Sequence, residues 1–502
     1  MNTVDTASAF RGMRVTVMGL GLHGGGIASA RFFAKAGAHV TVTDLRGPEI
    51  LEPAIRQLEG FPIRFVLGSH KEEDFKAADI VIKNPAVRRD SPFLRLAARI
   101  ETDISIFLRF SKSPLIAVTG SKGKSTVASA IWYVLSKYEK KALLGGNITV
   151  SPLDFLDQTG LDVPVVLELS SWQLGDLHGM GILKPVVAVI TAIFPDHLNY
   201  YGSMEAYVAD KRVIYEGQDK DSYTVCSADQ AWGRSFAEET RAHVLWYSQA
   251  PLAPLIEGVM PGGWLARDEN FAAAEGHDKA PDAASAGAGA GDDSYIKALA
   301  GWGKFSLHGP RELLVPPSIP IPGLHQKENL LAAAVALRGF GLPSQAIASA
   351  LETFPGVPHR LEFVAQIRGV RWYNDSAATI PDAAIAAIES FSEPTLLIAG
   401  GSDKMSDFST FVRKAGKLKS IILLAGSGTD RIVPLLEEHH IAYRGPFHSM
   451  GEAVDVAYET AEKGDIVLLS PGCASFGMFL HEFERGEIFK KEVARLAASE
   501  PN

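Results

Sequence analysis

A glycine- and lysine-rich turn is the segment of the chain best suited to bind phosphate. An apolar run, Leu115–Val118, precedes the turn, and a helical pattern of apolar residues follows it. Backbone N–H groups at a helix start attract anions, a lysine there can reach the terminal phosphates of a nucleotide, and the next hydroxyl suits Mg²⁺. We predict that Lys124 contacts phosphate and that Ser125 contacts the metal. The whole predicted ATP turn comprises Gly120, Ser121, Lys122, Gly123, Lys124, Ser125 and Thr126.

The length of this turn argues against an ordinary NTPase. The longer pattern G-x-x-x-x-G-K-[ST] would need its first glycine at Val118, whereas this chain has G-x-x-G-K-S-T. A chance glycine turn is the alternative, and the flanking strand and helix patterns make it the weaker interpretation.

Three further residues are candidates for metal or phosphate chemistry. Glu168 ends an apolar strand pattern, where a carboxylate can hold Mg²⁺ beside a phosphate turn. A salt-bridged acid would look the same. His197 follows the apolar run Val186–Thr191, and a capping or core histidine is equally compatible with its position. Lys211 alone would be read as a solvated surface lysine.

A second glycine pattern lies near the start of the chain. Gly19-x-Gly21-x-x-Gly24 follows the strand pattern that begins at Arg14 and precedes Asp44 by about twenty residues, which is the dinucleotide-binding arrangement. A phosphate-binding turn can hold any diphosphate, and a terminal aspartate can equally hold a uracil or a ribose. Because nothing downstream supplies hydride-transfer chemistry, NAD is the less favoured ligand.

The elements that must position these residues alternate between strand and helix patterns. This alternation predicts an α/β protein with mostly parallel sheets, and 502 residues suggest about three domains. We expect a Rossmann-like N-terminal domain, a central P-loop ATPase-like domain and a Rossmann-like C-terminal domain. Their predicted ranges are 1–112, 113–356 and 357–502, and 267–293, rich in Ala, Gly and Asp, is predicted to be a flexible insertion.

Composition limits the cellular environments and the classes of partner that we expect. The net charge is −9 without a basic block, so nucleic acid is not an expected partner. The chain has only two cysteines, which favours a reducing, cytoplasmic location over a disulfide framework. No apolar run reaches the roughly 18 residues needed to span a membrane, and the first residues lack the apolar core of a signal peptide.

Taken together, these segments resemble the muramyl (Mur) ligase family of ATP-dependent amide-forming enzymes in peptidoglycan precursor synthesis. The resemblance covers nearly the whole chain outside 267–293, and its N-terminal segments most resemble the branch that adds D-glutamate. The segments that carry it read GLGLHG, TDLR, TGSKGKST, ELSSWQL, PDHLNYYGSMEAYVADK, GLHQKENLLAAAVA, GVPHRLE, YNDSAATIPDA, GGSDKMSDF and LSPGCASFGMF.

The resemblance implies a reaction and its cofactors. D-glutamate would be joined to UDP-N-acetylmuramoyl-L-alanine through an acyl phosphate and a tetrahedral intermediate, with release of ADP and phosphate. ATP and two Mg²⁺ would be needed, and Lys211 would carry a carbamate. We expect a monomer with small-molecule substrates.

The resemblance also implies individual roles. The UDP-substrate would be held by Leu22, His23, Asp44, Leu45, Arg46, Asn84, Asn147 and Gln173. ATP would be bound by the glycine turn together with Asn329, Arg360 and Asp375. The catalytic and metal-binding set would be Lys124, Ser125, Glu168, His197 and Lys211. The incoming amino acid would be bound by Thr379, Lys404, Ser475 and Phe476.

Three positions depart from the family pattern. Lys122 stands where the family often has Asn, Gln326 replaces the first Asn of GxHNxxN, and Ala377 stands where some members have a lysine. The last departure leaves the acceptor less certain than the reaction type. A sibling ligase for L-Glu, for another muramyl substrate or for folate therefore stays open, as do a NAD-dependent dehydrogenase and a non-catalytic nucleotide-binding regulator.

Overall fold

A computed structural model describes most of the chain. The described residues are 9–22, 24–138, 141–148, 150–252, 261–268, 299–306, 310–403 and 406–499. Two predicted site residues, His23 and Lys404, lie outside these ranges, as does nearly all of the predicted insertion 267–293.

The first sheet contains five parallel strands in the order β3-β2-β1-β4-β5. The strands are β1 (Arg14–Met18), β2 (His39–Asp44), β3 (Ile63–Leu67), β4 (Ile80–Lys83) and β5 (Ile100–Glu101). The helices of this part are α1 (Gly25–Lys35), α2 (Pro48–Arg56), α3 (Glu72–Lys76) and α4 (Asp103–Phe110), and a 3₁₀ turn covers Leu94–Leu96. A Cβ at Gly26 would overlap the main chain of Gly19 and Leu20, so this glycine allows α1 to pack against the first glycine turn.

The second sheet contains nine strands in the order β14-β13-β12-β11-β10-β9-β6-β8-β7. The strands are β6 (Leu115–Thr119), β7 (Leu143–Gly146), β8 (Val165–Glu168), β9 (Val187–Ile190), β10 (Tyr223–Ser227), β11 (His243–Ser248), β12 (Gly262–Arg267), β13 (Leu299–Lys304) and β14 (Glu312–Val315). The helices are α5 (Lys124–Lys137), α6 (Ser171–Asp176), α7 (Leu198–Tyr201), α8 (Met204–Glu216), α9 (Ala231–Glu239), α10 (Leu324–Gly339) and α11 (Ser344–Leu351), and a 3₁₀ segment covers Pro152–Gln158.

Three adjacent strands of the second sheet position the phosphate turn. β6 pairs in parallel with β8 on one side and with β9 on the other. All three are buried throughout, which explains their continuous apolar sequences. Because the carboxyl ends of parallel strands meet at one edge of a sheet, the glycine turn, Glu168 and the segment after β9 emerge side by side.

The third sheet contains six strands in the order β15-β16-β20-β17-β18-β19. The strands are β15 (Glu362–Ile367), β16 (Val370–Asn374), β17 (Thr395–Gly400), β18 (Ser420–Leu424), β19 (Arg444–Phe447) and β20 (Ile466–Leu469). The helices are α12 (Pro381–Ile388), α13 (Ser409–Ala415), α14 (Thr429–Glu438), α15 (Met450–Thr460) and α16 (Glu482–Ser499). Only β15 pairs antiparallel with its neighbour, and β16, β20 and β17 are adjacent and parallel.

The chain forms two compact units. The first comprises the described residues within Met1–Ala266, Gly301–Val315 and Glu328–Ala350, and the second contains the third sheet. The predicted α/β architecture with mostly parallel sheets is confirmed. Each sheet lies within one predicted domain range, although the boundaries themselves stay predictions. Both cysteines are buried and free, and none of the described helices is long and apolar enough to cross a membrane.

Candidate active site

The phosphate turn is built on two glycines whose backbones an L-residue would rarely adopt. φ is +148° at Gly120 and +86° at Gly123. A Cβ at Gly120 would overlap the hydroxyl of Thr191, and that hydroxyl donates to the carbonyl of Lys122 at 2.6 Å. The turn is therefore packed directly on the end of β9, with no space for larger residues.

Lys124 and Ser125 begin helix α5 at the end of this turn. The Nζ of Lys124 donates to the carbonyl of Ser121 at 3.0 Å, so the lysine folds back over the turn. Both side chains are half-buried. The first N–H groups of a helix have no carbonyl of a preceding turn to bond, which makes this a favourable anion site. Lys122 is exposed, so water screens the charge that this departure adds.

Ser121 fixes the turn to the protein. Its hydroxyl donates to the carbonyl of Phe194 at 2.9 Å, accepts from the Phe194 N–H at 3.0 Å and lies 3.0 Å from the Tyr207 hydroxyl. Its own N–H donates to Ala192. These contacts explain why a serine suits this position, and the ATP contact assigned to Ser121 stays a prediction.

Glu168 lies at the carboxyl end of β8 and is 1% exposed. Its Oε1 accepts a 2.8 Å hydrogen bond from the amide of Asn147, whose N–H donates to the Glu168 carbonyl, also at 2.8 Å. Its Oε2 is buried without a hydrogen-bond partner among the described residues, and no cation of that part of the chain forms a salt bridge with it. The salt-bridge alternative is therefore not observed. An unsatisfied carboxylate oxygen is the donor that a hard divalent cation requires.

Lys211 is buried rather than solvated, so its interpretation as a surface lysine is wrong. The side chain is 2% exposed, and Nζ donates to the carbonyl of Gly120 at 2.8 Å. The Nζ atom also lies 4.6 Å from the centre of the Tyr207 ring. Burial lowers the pKa of the Lys211 amine well below its ordinary value, and the nearby charge of Lys124 lowers it further.

His197 sits beside the same tyrosine. Its φ of +53° is left-handed, and the residue occupies the N-cap position of α7. The ring centre is 5.0 Å from that of Trp172 and 6.5 Å from that of Tyr207, and the side chain is about half exposed. His197 and Lys211 therefore flank Tyr207, and His197 is not a core histidine.

The described residues contain no ready-made metal cluster of ordinary ligands. Across the ranges that the structure describes, no three His, Cys, Asp or Glu side chains converge in a way that could hold an ion. A metal bound here would depend on the Ser125 hydroxyl, phosphate oxygens or a modified lysine in addition to Glu168 and His197.

Asn329 lies against the phosphate turn. It belongs to α10, and a Cβ at Gly123 would overlap its side-chain oxygen. The structure therefore brings this predicted ATP residue to the turn from a distant part of the sequence. Gln326, one turn earlier in the same helix, is buried, and its Oε1 has no partner within the described part of the chain.

A cavity of about 860 Å³ adjoins this centre. Seven of the eight residues predicted to hold the UDP-substrate line it, and the eighth, His23, lies outside the described residues. The seven are Leu22, Asp44, Leu45, Arg46, Asn84, Asn147 and Gln173. Sequence reasoning missed other lining residues because none of them belongs to a recognisable motif, namely His70, Arg88, Phe93, Asp103 and Ser151.

Asp44 holds the first glycine turn together. One carboxylate oxygen accepts from the N–H groups of Leu20 and Gly21 at 3.0 and 3.2 Å, and both oxygens accept from Arg46. Burial alone would raise the pKa of Asp44, but the bonds from Arg46 and Gly21 hold it below its usual value. These bonds fix the Asp44 carboxylate at the cavity wall.

Gln173 combines a predicted binding role with a structural one. It lines the cavity, and its Oε1 accepts from the N–H of Ser170 at 3.0 Å. The Gln173 N–H donates back to the Ser170 hydroxyl at 3.3 Å, which forms a capping box at the start of α6. This arrangement fixes the amide side chain at the cavity wall.

In the second unit, Asp375 and Arg360 have very different environments. The Asp375 carboxylate is buried, accepts from the Leu361 N–H at 3.2 Å and pairs with the Ser470 hydroxyl at 2.7 Å. Burial raises the pKa of Asp375 to about 7. Arg360 is exposed between His359 and Leu361, which are both left-handed, with φ of +64° and +46°. For a leucine this backbone is strained, and strain of this kind concentrates at functional sites.

Thr379 follows β16, and Ser475 and Phe476 follow the adjacent parallel strand β20, so these three predicted amino-acid residues belong to one edge of the third sheet. Ser402 exchanges two main-chain hydrogen bonds with Ala474, and its hydroxyl donates to the carbonyl of Phe476. The loop that leads to position 404, itself outside the described residues, is thus tied to the Ser475–Phe476 turn. Phe476 is exposed, and the buried Ser475 hydroxyl has no partner in the described ranges.

Arg485 forms hydrogen bonds to the segments at this edge, and sequence reasoning missed it. It is fully buried in α16 and donates to the hydroxyl and carbonyl of Ser376 and to the carbonyl of Cys473. Its bonds join the segment that carries Ala377 and Thr379, both half-buried, to the turn at Ser475. No local pattern could reveal it, because an arginine in a charged helix is normally solvated.

The chain matches three family models. They are described as the Mur ligase MurD-like N-terminal domain, over residues 13–106, the Mur ligase middle domain, over 118–257, and the Mur ligase glutamate ligase domain, over 359–473. These segments contain the cavity residues of the first sheet, the phosphate turn and the Asp375 edge.

Relatives and solved structures agree with these matches. UDP-N-acetylmuramoylalanine–D-glutamate ligases of Treponema pallidum (strain Nichols) and Roseiflexus sp. (strain RS-1) are 42% and 40% identical to the chain, and each alignment covers 96% of this chain and 98% of the relative. The crystal structure of UDP-N-acetylmuramate-alanine ligase from Thermotoga maritima has a TM-score of 0.58 at 18% identity, with 97% of this chain and 100% of that one covered. MurF ligase from the same organism, in complex with ADP, has a TM-score of 0.55 at 17% identity and covers 99% and 100%.

The buried Asp375 makes a testable prediction about stability. The pKa of Asp375 is about 7 in the folded protein against 3.8 ordinarily. Its contribution to the free energy of unfolding is therefore fully present below pH 4 and is lost as the pH rises towards 7. Asn mimics the protonated acid. Between pH 4 and 8, we expect the free energy of unfolding of Asp375→Asn to increase by up to ~4 kcal/mol relative to that of the parent, since one pKa unit is about 1.36 kcal/mol. Denaturant unfolding across this pH range measures it, and a pH-independent difference would contradict it.

Proposed function

The chain belongs to the Mur ligase family, and from this premise we propose that it is an ATP-dependent ligase that joins D-glutamate to UDP-N-acetylmuramoyl-L-alanine, with release of ADP and phosphate. The relatives that carry the D-glutamate ligase name span nearly the whole chain. The matched family models likewise include a MurD-like N-terminal domain and a glutamate ligase domain.

One residue contact carries the proposal within the structure. Asn147 lines the 860 Å³ cavity and also donates to Glu168 at the edge of the phosphate turn. A substrate that fills the cavity can therefore end at the point where phosphate chemistry occurs. This is the arrangement needed when a carboxylate at the end of a nucleotide-linked arm must attack ATP.

The chemistry activates that carboxylate. Its oxygen would attack the γ-phosphorus of ATP to give an acyl phosphate and ADP. The glutamate amine would then attack the carbonyl carbon, and phosphate would leave from the tetrahedral intermediate. Lys124 and the N-terminus of α5 neutralise the phosphate charge and hold the reacting groups in line, which is the main contribution a protein makes to phosphoryl transfer.

The donor set fits Mg²⁺. The unsatisfied Oε2 of Glu168 and the hydroxyl of Ser125 are hard oxygen donors that would hold one ion. His197 and a carbamylated Lys211 would hold the second. When bound, the two ions would neutralise charge on the transferring phosphoryl group.

A carbamate on Lys211 explains why a lysine is buried here. Its amine has a lowered pKa and faces the Gly120 carbonyl, so the neutral form is accessible. Attack of the neutral Nζ on CO₂ forms an N–C bond and releases one proton, which leaves a carbamate anion. The product resembles a carboxylate and can bind a metal, whereas an ammonium would repel it.

The remaining predicted residues complete the proposal. Asn329, Arg360 and Asp375 would contact ATP, and the exposed guanidinium of Arg360 suits phosphate. Thr379, Lys404, Ser475 and Phe476 would bind glutamate. We further propose that the protein is a cytoplasmic monomer. Static light scattering of the purified chain would test the monomeric state.

Rival functions have less support. A sibling ligase would share the reaction, and it differs only in the amino acid or the nucleotide-linked substrate. No group recognised in the sequence supplies the hydride-transfer chemistry of a NAD-dependent dehydrogenase. A non-catalytic regulator would not need the phosphate turn and the cavity to meet at Glu168.

A phosphate-release assay tests the function. ATP and UDP-N-acetylmuramoyl-L-alanine are supplied with D-Glu, L-Glu, D-Asp or L-Lys in parallel. The proposal expects phosphate release that requires both substrates and D-Glu. Release with another amino acid would favour a sibling ligase, and oxidation of NADH with candidate ketones would favour the dehydrogenase.

Lys124→Ala tests the phosphate turn. Loss of the cation over the turn should lower turnover at least ~100-fold, the effect of removing one strong transition-state contact. The matched control is Lys137→Ala, at the other end of the same helix, which should retain activity. Near-normal turnover of Lys124→Ala would remove the assigned role.

Lys211→Ala tests the carbamate. The variant should be nearly inactive and should regain part of its turnover when acetate is added, because acetate can supply the missing anionic oxygens. Lys220→Ala, an exposed lysine shortly after the same helix, is the control. Full activity of Lys211→Ala without acetate would contradict the proposal.

Lys404→Ala tests the acceptor site. With Ala377 in place of a possible lysine, Lys404 is the cation left for a glutamate carboxylate. A charge-assisted hydrogen bond is worth roughly 1.5–3 kcal/mol, so the apparent KM for D-Glu should rise ~10-fold or more. Ala377→Lys should be tolerated. A weakened ATP affinity with an unchanged KM for D-Glu would move the amino-acid site elsewhere.

A further inference from the structure

Four charged side chains, three of them buried or half-buried and one, Arg89, 36% exposed, lie between the cavity and the helix that carries Lys211. We call Lys83, Arg89, Asp176 and Asp210 the charge cluster. Lys83 Nζ and an Asp176 oxygen are 2.7 Å apart, and these side chains are 3% and 5% exposed. Arg89 forms a two-pronged pair with Asp210, and its Nε is 3.9 Å from Asp176. The reaction proposed above uses none of the four.

Arg89 faces away from the substrate cavity, unlike its neighbours. Asn84, Arg88 and Asp90 of the same loop line the 860 Å³ cavity. Arg89 instead lines a separate cavity of about 90 Å³ with Trp172 and Asp176. The loop 84–92 therefore has the substrate cavity on one side and the charge cluster on the other.

The cluster reaches the lysine helix at the residue next to Lys211. Asp210 and Lys211 are consecutive in α8, so their side chains project roughly 100° apart around the helix axis. Asp210 pairs with Arg89 and accepts from the Tyr201 hydroxyl at 2.9 Å, while Lys211 reaches the Gly120 carbonyl. The two contacts together fix the rotation of α8 about its axis.

Gly175 makes room for the pair. A Cβ at this position in α6 would collide with the Asp210 carboxylate and with both terminal nitrogens of Arg89. The close approach therefore requires a glycine, and a methyl group here would displace the pair without removing any charge.

We propose that Arg89, supported by the Lys83–Asp176 pair, is a positioning residue that couples the cavity wall to Lys211. A loop held in place by the nucleotide-linked substrate would hold α8 through Asp210, and α8 would hold Nζ of Lys211 at the phosphate turn. The inference rests on the proposed function, because that function assigns the cavity its substrate and Lys211 its role. A merely structural ion pair would affect stability but not the reaction.

Arg89→Met tests the coupling. Turnover at saturating substrates should fall ~10- to 100-fold, the effect of a small misplacement of a reacting group. The Kd of the UDP-substrate, measured by calorimetry, should change less than ~3-fold, because Arg89 does not line its cavity. The carbamate signal in NMR spectra recorded with ¹³C-bicarbonate should weaken.

Two further variants sharpen the test. Gly175→Ala keeps all four charges and should reproduce the loss of turnover, and it decides the question if Arg89→Met does not fold. Arg212→Met is the matched control, because Arg212 lies in the same helix and pairs with Glu239 instead. Its turnover should stay within ~2-fold of the parent, because the Arg212 guanidinium pairs with Glu239 of α9 and not with a residue of the loop 84–92.

The overturning results are distinct. If Arg89→Met and Gly175→Ala kept the turnover of the parent, as Arg212→Met should, the charge cluster would be only a structural ion pair. A UDP-substrate Kd raised at least ~10-fold with unchanged turnover would make Arg89 a binding residue. Failure of the proposed function would be seen in the parent protein, as absent D-Glu-dependent phosphate release.

Discussion

A buried carboxylate with one bonded and one unsatisfied oxygen organises the site. Burying an anion is costly unless something compensates it, and the Asn147 amide compensates only one side of Glu168. A metal ion would supply the remainder, and the phosphate turn, at the end of the adjacent strand β6, would give that ion further ligands. Because Asn147 also lines the cavity, the same contact joins substrate binding to phosphoryl chemistry.

The site requires other residues to approach the main chain of its glycines very closely. Gly120 packs on Thr191, Gly123 on Asn329, and Gly146 on the Glu168 carbonyl, in each case without space for a Cβ. This compactness removes water from Lys211, and the resulting fall in the pKa of its amine is what makes a carbamate chemically reasonable. The close packing around the glycines therefore also accounts for the reactivity expected of Lys211.

Local patterns predicted the parts of the protein that local physics determines. The apolar strands, the glycine turns and the acid at the end of β8 could be predicted because each is recognisable from the residues next to it in sequence. Lys211 could be assigned only by resemblance, since its burial depends on Gly120, 91 residues away. The nucleotide contact of Asp44 stays a prediction, and the hydrogen bonds of its carboxylate to its own turn could not be predicted from the sequence. Arg89 and Arg485 had no signal, because their partners lie in other elements.

The central claim is that the carboxylate of the cavity's substrate is phosphorylated at Glu168 and the glycine turn. It is tested most directly by oxygen transfer. UDP-N-acetylmuramoyl-L-alanine is labelled with ¹⁸O in both carboxylate oxygens and converted with ATP and D-Glu, and the released phosphate is analysed by mass. The account predicts one ¹⁸O atom per phosphate, because the attacking oxygen leaves with phosphorus. Phosphate without ¹⁸O would show that no acyl phosphate forms and would contradict the account.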